Sequence, residues 1–467
     1  MIDKFLLYIQ ECVNKFKELK SKEPVRILGH IDCDGICSSS ILIKAFYRDD
    51  IKIVYSSHKQ VDEKIINEIK RESYKIIFFV DFGSNVLELI NKHLENKTVF
   101  ILDHHKFENF DTKHFNINQN IFNLDDNSIC GSGVAYLFSK YLNSKNNDLA
   151  YLALIGAVGD NQDKNFSELN KSIINDAVEK DCIDIKVGLS IFGSQTKPLH
   201  KLLEYSTEIF IPGITGNEAG SRKFLENLGL SLTDNNGEFR KIYDLNKDEM
   251  NKLITAIILT RIGTETEPEN ILGKIYTLKN EDNGYPTKDV KEYSTLLNAC
   301  GRLSKPTLGI GTCLGDNKIK QKAFLLLKEY KSEIINSLNW VYNNRGKDKI
   351  IELDNLVIIN AQNNVRDTII GTINSVLTRS GLYKEGTLVA SMAYTLDNNL
   401  KISLRNVGNG FIDLSILIKE ICTKLGGIGG GHPNASGGLI PIIKENEFIA
   451  DIINKVKSLE IYKNQNL

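Results

Sequence analysis

The sequence predicts an α/β protein, built as a parallel-sheet domain, a mainly helical insertion and a smaller α/β domain. Three observations lead there. Short β-rich runs alternate with helical patterns over the first 190 residues, the signature of an open, mostly parallel sheet covered on both faces. Strand-like runs then thin out between 190 and 345, where helical spacing dominates. Beyond 345, strand-like and helical segments alternate again and include a glycine-rich stretch. A chain of 467 residues has room for about three units of roughly 150 residues each. The expected domains are 1–190, 191–345 and 346–467.

Taken in order, MIDKFLLYIQECVNKFKELK alternates apolar and charged residues at helical spacing. It lacks a signal peptide's cleavage pattern, and no run of about 18 or more apolar residues occurs, so a cytoplasmic protein away from membranes is expected. VRILGH (25–30), IKIVYSS (51–57), KIIFFVD (75–81) and TVFILD (98–103) are strands, the first three followed by helices starting near Cys37, Asp62 and Val86. GSGVAYLFSKYL (131–142) and NDLAYLALIGAVGD (147–160) complete the domain as helices. DEMNKLITAIILTRIG (248–263) and the stretch 317–344 supply the helices that follow, and the polar KNEDNGYPTKDV (279–290) is a surface loop. In the last unit NLVIINA (355–361), GTLVASMAYT (386–395) and LKISLRN (400–406) are strand-like, with helices at TIIGTINSVLTRSG and DLSILIKEICTKLG.

Composition narrows the function. Hydrophobic residues at 42% and charged residues at 25% exclude a disordered chain. Lys plus Arg is 58 against 59 for Asp plus Glu, so nucleic acid, if bound, must be met in a local groove. The eight cysteines are scattered without a CxxC pair, which argues against a zinc ribbon or a disulfide scaffold. Cys33 and Cys37, the closest pair, read as small packing residues.

The informative groups stand at strand ends, where open α/β sheets bind ligands. VRILGH runs into His30-Ile-Asp32-Cys-Asp34-Gly35, KIIFFVD ends at Asp81, and TVFILD ends at Asp103-His104-His105; Asp160 closes LALIGAVGD. Strand periodicity gives no reason for charge at these places, and ionised carboxylates are rarely buried unless paired or bound to metal. His30, Asp32, Asp34, Asp81, His104 and Asp160 form a mixed oxygen and nitrogen set suited to Mn²⁺ or Mg²⁺. Such a set exceeds one closed zinc site and suits two cations about 3.5–4 Å apart, which activate water and stabilise an in-line phosphoryl displacement. Each acid alone has a plainer reading: an Asp at a strand end as a helix N-cap, Asp34 as a turn residue, Asp103 as a carboxylate orienting its neighbours. Independent caps and turns would not place acids or imidazoles at three successive strand ends.

The segment LGGIGGGHPNASGG (425–438) holds Gly429, Gly430, Gly431 and His432. It has too little side chain for a core strand and reads as a loop whose N–H groups can approach a phosphate, with a linker or tight turn as the plain alternative. Arg405 in SLRN adds a bidentate phosphate partner and makes it an anion-binding surface. His58 and His93 read as solvated.

These residues, in order and spacing, resemble the four phosphoesterase motifs of the DHH superfamily. The GGGHPNASGG segment with Arg405 resembles its DHH-associated C-terminal domain. IFGSQTKPLHKLLEYSTEIFIPGITG (191–216) and LLNACGRLSKPTLGIGTCLGD (296–316) further resemble the archaeal RecJ-like branch, the GINS-associated nuclease among it. The resemblance implies that Asp32, Asp34, Asp81, His104 and Asp160 hold two Mn²⁺ or Mg²⁺ ions with Asp81 as the bridge, and that His30 lines or joins the site, standing where a third Asp is frequent in bacterial relatives. It implies that His105 faces the scissile phosphate while Arg405 and the glycines around His432 grip the substrate. The implied activity is exonucleolytic hydrolysis of single-stranded DNA or RNA in replication or repair, with GINS-type replication proteins as partners. The alternatives are a phosphodiesterase for short oligonucleotides or cyclic dinucleotides, and a non-catalytic replication scaffold.

Overall fold

Runs of β-branched and aromatic residues form β1 (Val25–His30), β2 (Ile53–His58), β3 (Ile76–Val80), β4 (Thr98–Leu102) and β5 (Phe115–Ile117). They pair in the order β2-β1-β3-β4-β5, and every pairing is parallel. The structure, a computed structural model, describes residues 1–19, 23–107, 111–206, 209–408 and 412–465, with side chains through 458. It divides into two units, Met1–Leu327 and Lys328–Leu467.

A parallel sheet is buried on both faces, so its strands are apolar throughout and successive residues serve opposite sides. Phe78 and Phe79 on β3 illustrate this. Phe78 meets Phe16 of α1 (Ile2–Leu19), Phe46 of α2 (Cys33–Arg48), Phe100 of β4 and Phe138 of a later helix, with ring centroids 4.8 to 5.5 Å apart. Phe79 joins Ile66 and Ile69 of α3 (Glu63–Arg71) and Leu87 and Ile90 of α4 (Leu87–His93) on the other face. The helix carrying Phe138 is α5 (Gly131–Leu142); α6 (Ala150–Gly159) and α7 (Glu168–Glu179) follow.

One local expectation changes, and one strand is added. The first helix after β1 starts at Cys33, not near Cys37, because the Asp32 carboxylate caps it by accepting from the Gly35 N–H at 3.0 Å. The short strand β5 carries only three residues and gives no periodic signal of its own.

Next, β6 (Ile183–Leu189) pairs antiparallel with β7 (Leu272–Leu278), and this ribbon brackets α8 (Leu199–Glu204), α9 (Glu218–Asn227) and α10 (Lys247–Arg261). Leu199, Leu202, Leu203, Leu225, Leu253 and Ile257 give these helices a core of their own. The segment is mainly helical as expected, but its two strands close on each other across the intervening helices, a long-range pairing that local pattern does not reveal. Then α11 (Val290–Arg302) packs on α6 and α2, and α12 (Pro306–Cys313) leads into α13 (Asn317–Asn344), where the division between the units falls. No helix among the described residues is long and apolar enough to cross a membrane.

The second unit is a six-stranded mixed sheet of β8 (Ile350–Glu352), β9 (Leu356–Gln362), β10 (Leu388–Tyr394), β11 (Asn399–Asn406), β12 (Ile428–His432) and β13 (Ala435–Pro441). The order is β12-β13-β11-β10-β9-β8; only β9 and β10 run parallel. One face carries α14 (Asp367–Arg379), whose buried Asn374 donates to the Val389 and Ser403 carbonyls at 3.0 and 2.7 Å. The other carries α15 (Leu414–Lys424) and α16 (Glu445–Gln465), with Ile418, Ile421, Phe448 and Ile452 on Ala390, Met392, Ile402 and Leu404. The glycine-rich segment is therefore a β-hairpin at the sheet edge, not a loop. Glycine in a strand often marks close approach of another backbone, and α15 supplies that approach: a Cβ on Gly429 would stand 2.6 Å from the Ile418 carbonyl oxygen.

Candidate metal centre

In the 2-1-3-4-5 order, β1 and β3 are neighbours whose outgoing connections leave for opposite faces. The crevice beyond their carboxyl ends is the expected ligand site of such a sheet. His30 ends β1 and Asp81 follows β3. Asp81 has a left-handed backbone, φ +64°, uncommon outside glycine. The His30 Nδ1 lies 3.2 Å from the Asp81 Oδ2 and 3.0 Å from the Asp32 Oδ1.

The neighbouring strand end completes the cluster. His104, after β4, places its Nε2 3.5 Å from the Asp81 Oδ1 and 3.9 Å from the Asp34 Oδ2, and its Nδ1 3.9 Å from the Asp160 Oδ2. His30, Asp32, Asp34, Asp81, His104 and Asp160, drawn from four separate segments, thus form one connected group. Two sets of donor atoms lie within 4.8 Å of one another: His30, Asp32 and Asp81, and Asp81, His104 and His105. Asp81 belongs to both.

Asp34 is no mere turn residue. It lies buried in the first turn of α2, where its Oδ2 accepts from the Gly131 N–H at 2.6 Å and its Oδ1 from the Ser132 N–H at 2.9 Å. These are orphan donors of the α5 N-terminus, whose partial positive charge suits a carboxylate. Asp160 caps the C-terminus of α6 and accepts from Gln162 Nε2 at 3.0 Å, while the Gln162 Oε1 accepts from Asn170 Nδ2 at 2.8 Å.

Asp103 is fully buried. Its oxygens accept from the Ser84 N–H (2.9 Å), the His104 N–H (2.8 Å) and the His105 N–H (3.2 Å), and its Oδ1 lies 2.8 Å from His105 Nδ1. It orients the two histidines and has no face open to a substrate. His105 is half-exposed beside the cluster.

The charge balance explains the titration of these groups. Burial and the carboxylates of Asp34 and Asp32 push Asp81 up to about 7, and burial raises Asp160 to about 6. Burial disfavours charge on His104, yet Asp81, Asp160 and Asp34 outweigh it and hold the ring at about 10. His105 reaches about 9, because Asp103 outweighs its burial. The Asp81 Oδ1 is buried without a hydrogen-bond donor. An orphaned carboxylate oxygen within a cluster of buried acids and imidazoles fits a divalent cation, and the oxygen and nitrogen donor set suits Mn²⁺ or Mg²⁺.

Several residues that build the site carry no chemistry of their own and escape a search for acids and imidazoles. A Cβ on Gly131 would lie 2.8 Å from the Asp81 Oδ1 and 2.9 Å from the Asp34 Oδ2; one on Gly156 would lie 2.5 Å from the Asp34 Oδ1. From α11, Asn298 accepts from the Cys33 N–H at 3.1 Å, and a Cβ on Gly301 would reach 1.8 Å from the Ile31 carbonyl oxygen. The only sequence signal for these was glycine inside otherwise helical runs.

In the second unit, Arg405 on β11 pairs with Ala435 on β13, which pairs with His432 on β12. Directly paired residues share a face, so Arg405 and His432 stand on one side of the sheet, opposite α15. Arg405 Nε donates to Ser375 Oγ at 3.3 Å and Nη1 to the Leu404 carbonyl at 3.0 Å. Gly430, on the same side, has no atom near a virtual Cβ, whereas Gly431 (φ +138°) lies 2.7 Å from the Ala435 carbonyl by the same measure. Of the expected phosphate-approach glycines, Gly430 alone faces open space; Gly429 and Gly431 answer packing and backbone demands. His58 and His93 are not solvated. His58 is half-buried 2.7 Å from Ser56 Oγ, and His93 is largely buried 3.8 Å from Glu63.

Residues 24–157 match the DHH family N-terminal domain, 191–273 the DHH-CID domain and 355–458 the DHHA1 domain. The chain is 30% identical over 439 residues to an uncharacterized protein of Methanocaldococcus jannaschii, covering 91% of each. Among solved structures it is similar to RecJ in complex with Mn²⁺ from Thermus thermophilus (TM-score 0.57, 14% identity). That match covers 95% of this chain and 54% of the other, so the chain spans about half the length of that RecJ. It is also similar to CDC45 from Entamoeba histolytica (TM-score 0.64, 12% identity, 96% and 98% covered). At these identities the structural likeness speaks for the fold alone.

Proposed function

Starting from a chain that belongs to the DHH superfamily and is RecJ-like in fold, we propose a two-metal phosphodiesterase that removes nucleotides from the ends of single-stranded DNA or RNA. The observation that carries this reading is the sharing of Asp81 between two sets of candidate ligands. In this reading His30, Asp32 and Asp81 hold one Mn²⁺ or Mg²⁺ ion, and Asp81, His104, Asp34 and Asp160 the other. The ions supply an acidified water and charge neutralisation at the phosphate.

The remaining work falls to the chain itself. The α5 N-terminus and Gln162 fix Asp34 and Asp160, so the ligand cage is set before substrate arrives. Asp103 binds His105 Nδ1 and leaves Nε2 to donate to a phosphoryl oxygen; held at about 9, the ring is protonated at neutral pH. Arg405, His432 and the open backbone at Gly430 take the terminal phosphate on the second unit. Single-stranded nucleic acid is the substrate class and GINS-type replication proteins the partner class.

The test is degradation of end-labelled single-stranded DNA and RNA with Mn²⁺ by the unmodified chain and by Asp81→Ala. Release of mononucleotides that Asp81→Ala abolishes supports the reading; equal degradation by both sinks it. Calorimetric titration separates the scaffold alternative, which predicts that two Mn²⁺ ions do not bind.

A further inference from the structure

A second concavity lies within the first unit, immediately beyond Asp160. It measures about 630 Å³ and is bounded by the α6–α7 connection, the β6–β7 ribbon and the start of α11. That volume falls in the range of small-ligand clefts. Val158 and Asp163, two residues before and three after Asp160, both line it, so the cleft shares a wall with the metal centre.

Its lining combines an aliphatic floor with aromatic rings and lysines. Phe166 and Tyr276 meet edge to face with centroids 5.8 Å apart, both half-buried, bridging the α6–α7 connection and the ribbon. Lys291 is neutralised by Asp163 at 3.2 Å. Lys164 and Lys274, in contrast, are exposed and have no carboxylate partner among the described residues. None of Phe166, Tyr276, Lys164 and Lys274 takes part in the metal centre.

We propose that this cleft is a nucleotide subsite, in which the Phe166–Tyr276 pair receives a base and Lys164 and Lys274 receive its phosphate. Aromatic stacking accepts any base, and unpaired lysines recognise phosphate as point charges, so the site is tolerant of sequence. A purely apolar ligand would leave both ammonium groups idle, and a bare anion would leave the aromatic pair unused. The proposal deepens the nuclease reading and rests on it: the nucleotide is either one unit of the strand being degraded or a released mononucleotide.

The probe is 2-aminopurine, as the free nucleoside monophosphate and within a single-stranded 12-mer, titrated against the full chain in EDTA, where the metal centre cannot recruit phosphate. Saturable quenching is expected, weakened at least ten-fold in Phe166→Ala and in Lys274→Glu. Phe166→Ala removes partly buried surface, so Lys274→Glu, an exposed change on the ribbon, keeps the test valid if the former folds poorly. Quenching of the free monophosphate assigns a mononucleotide site, and quenching only within the 12-mer assigns a strand subsite; both sustain the proposal. It is overturned if the unmodified chain gives no saturable quenching, or if both cleft variants quench as before while Arg405→Ala does not. Hydrolysis of bis(p-nitrophenyl) phosphate with Mn²⁺, a substrate without a base, reports separately on the nuclease reading.

Discussion

Around Asp81 in the first unit, carboxylates sit against backbone donors in a buried setting: Asp34 takes two N–H groups of α5, and Asp103 takes three from its own and a neighbouring segment. Around Arg405 in the second unit, the corresponding groups stand on an edge hairpin, with His432 and Gly430 exposed. The difference separates two tasks. On the proposed reading, groups that would hold cations, such as Asp34, are fixed by buried bonds, where an error of an ångström is costly. On the same reading, the groups that would receive a flexible polymer, His432 and Gly430, stand exposed.

The strongest way to break this contrast is to damage the locked side. Asp81→Ala removes the carboxylate common to both ligand sets, and its loss of Mn²⁺-dependent hydrolysis should exceed the roughly 100-fold typical of an outer-shell change. A smaller loss in steady-state assays would mean that Asp81 is not the shared ligand. Gly131→Ala should come next. Its methyl group intrudes on Asp81 and Asp34, so we expect about 1–3 kcal/mol of destabilisation from overpacking and weaker Mn²⁺ binding by calorimetry. Unchanged binding would show that the cage is softer than its packing suggests.

On the adaptable side, Arg405→Ala should raise KM for oligonucleotides by roughly ten-fold and flatten the dependence of binding on log salt by about one unit, the loss of one phosphate contact. A loss confined to kcat would place Arg405 in the chemistry and dissolve the contrast.

A last effect is expected on stability in mild acid, away from both sites. His114 is buried in the first unit, and burial, aided by Lys113, holds its ring down to about 4 against an ordinary 6.5. The folded state therefore resists a proton that the unfolded chain accepts. This contribution is present above pH 6.5 and is lost as pH falls through the window from 6.5 toward 4. Denaturant titrations of the chain and of His114→Asn should converge or cross as pH falls through that window. A constant difference would remove His114 as the cause.

Much of this molecule was legible before folding. IIFFV and TVFIL are strands by residue type and length, and each runs into a group whose charge makes no sense in a strand; all six expected ligands converge in space. The misses share one origin. β5 is too short for a period, β6 and β7 meet across more than eighty residues, and the glycine hairpin lacks the side chains by which strands are recognised. Its glycines report the closeness of α15, which no local window contains.

The sequence by itself determined most of the elements, the candidate donor types and the places of His30, Asp81 and His104 beyond strands, because secondary structure and donor chemistry are properties of neighbouring residues. Only the tertiary structure decided which backbone groups hold those ligands. Asp34 depends on Gly131, 97 positions away, and Cys33 on Asn298, 265 positions away. Such contacts follow from helix packing against a closed core, where the absence of a Cβ or the reach of one amide fixes a geometry that no spacing along the chain encodes.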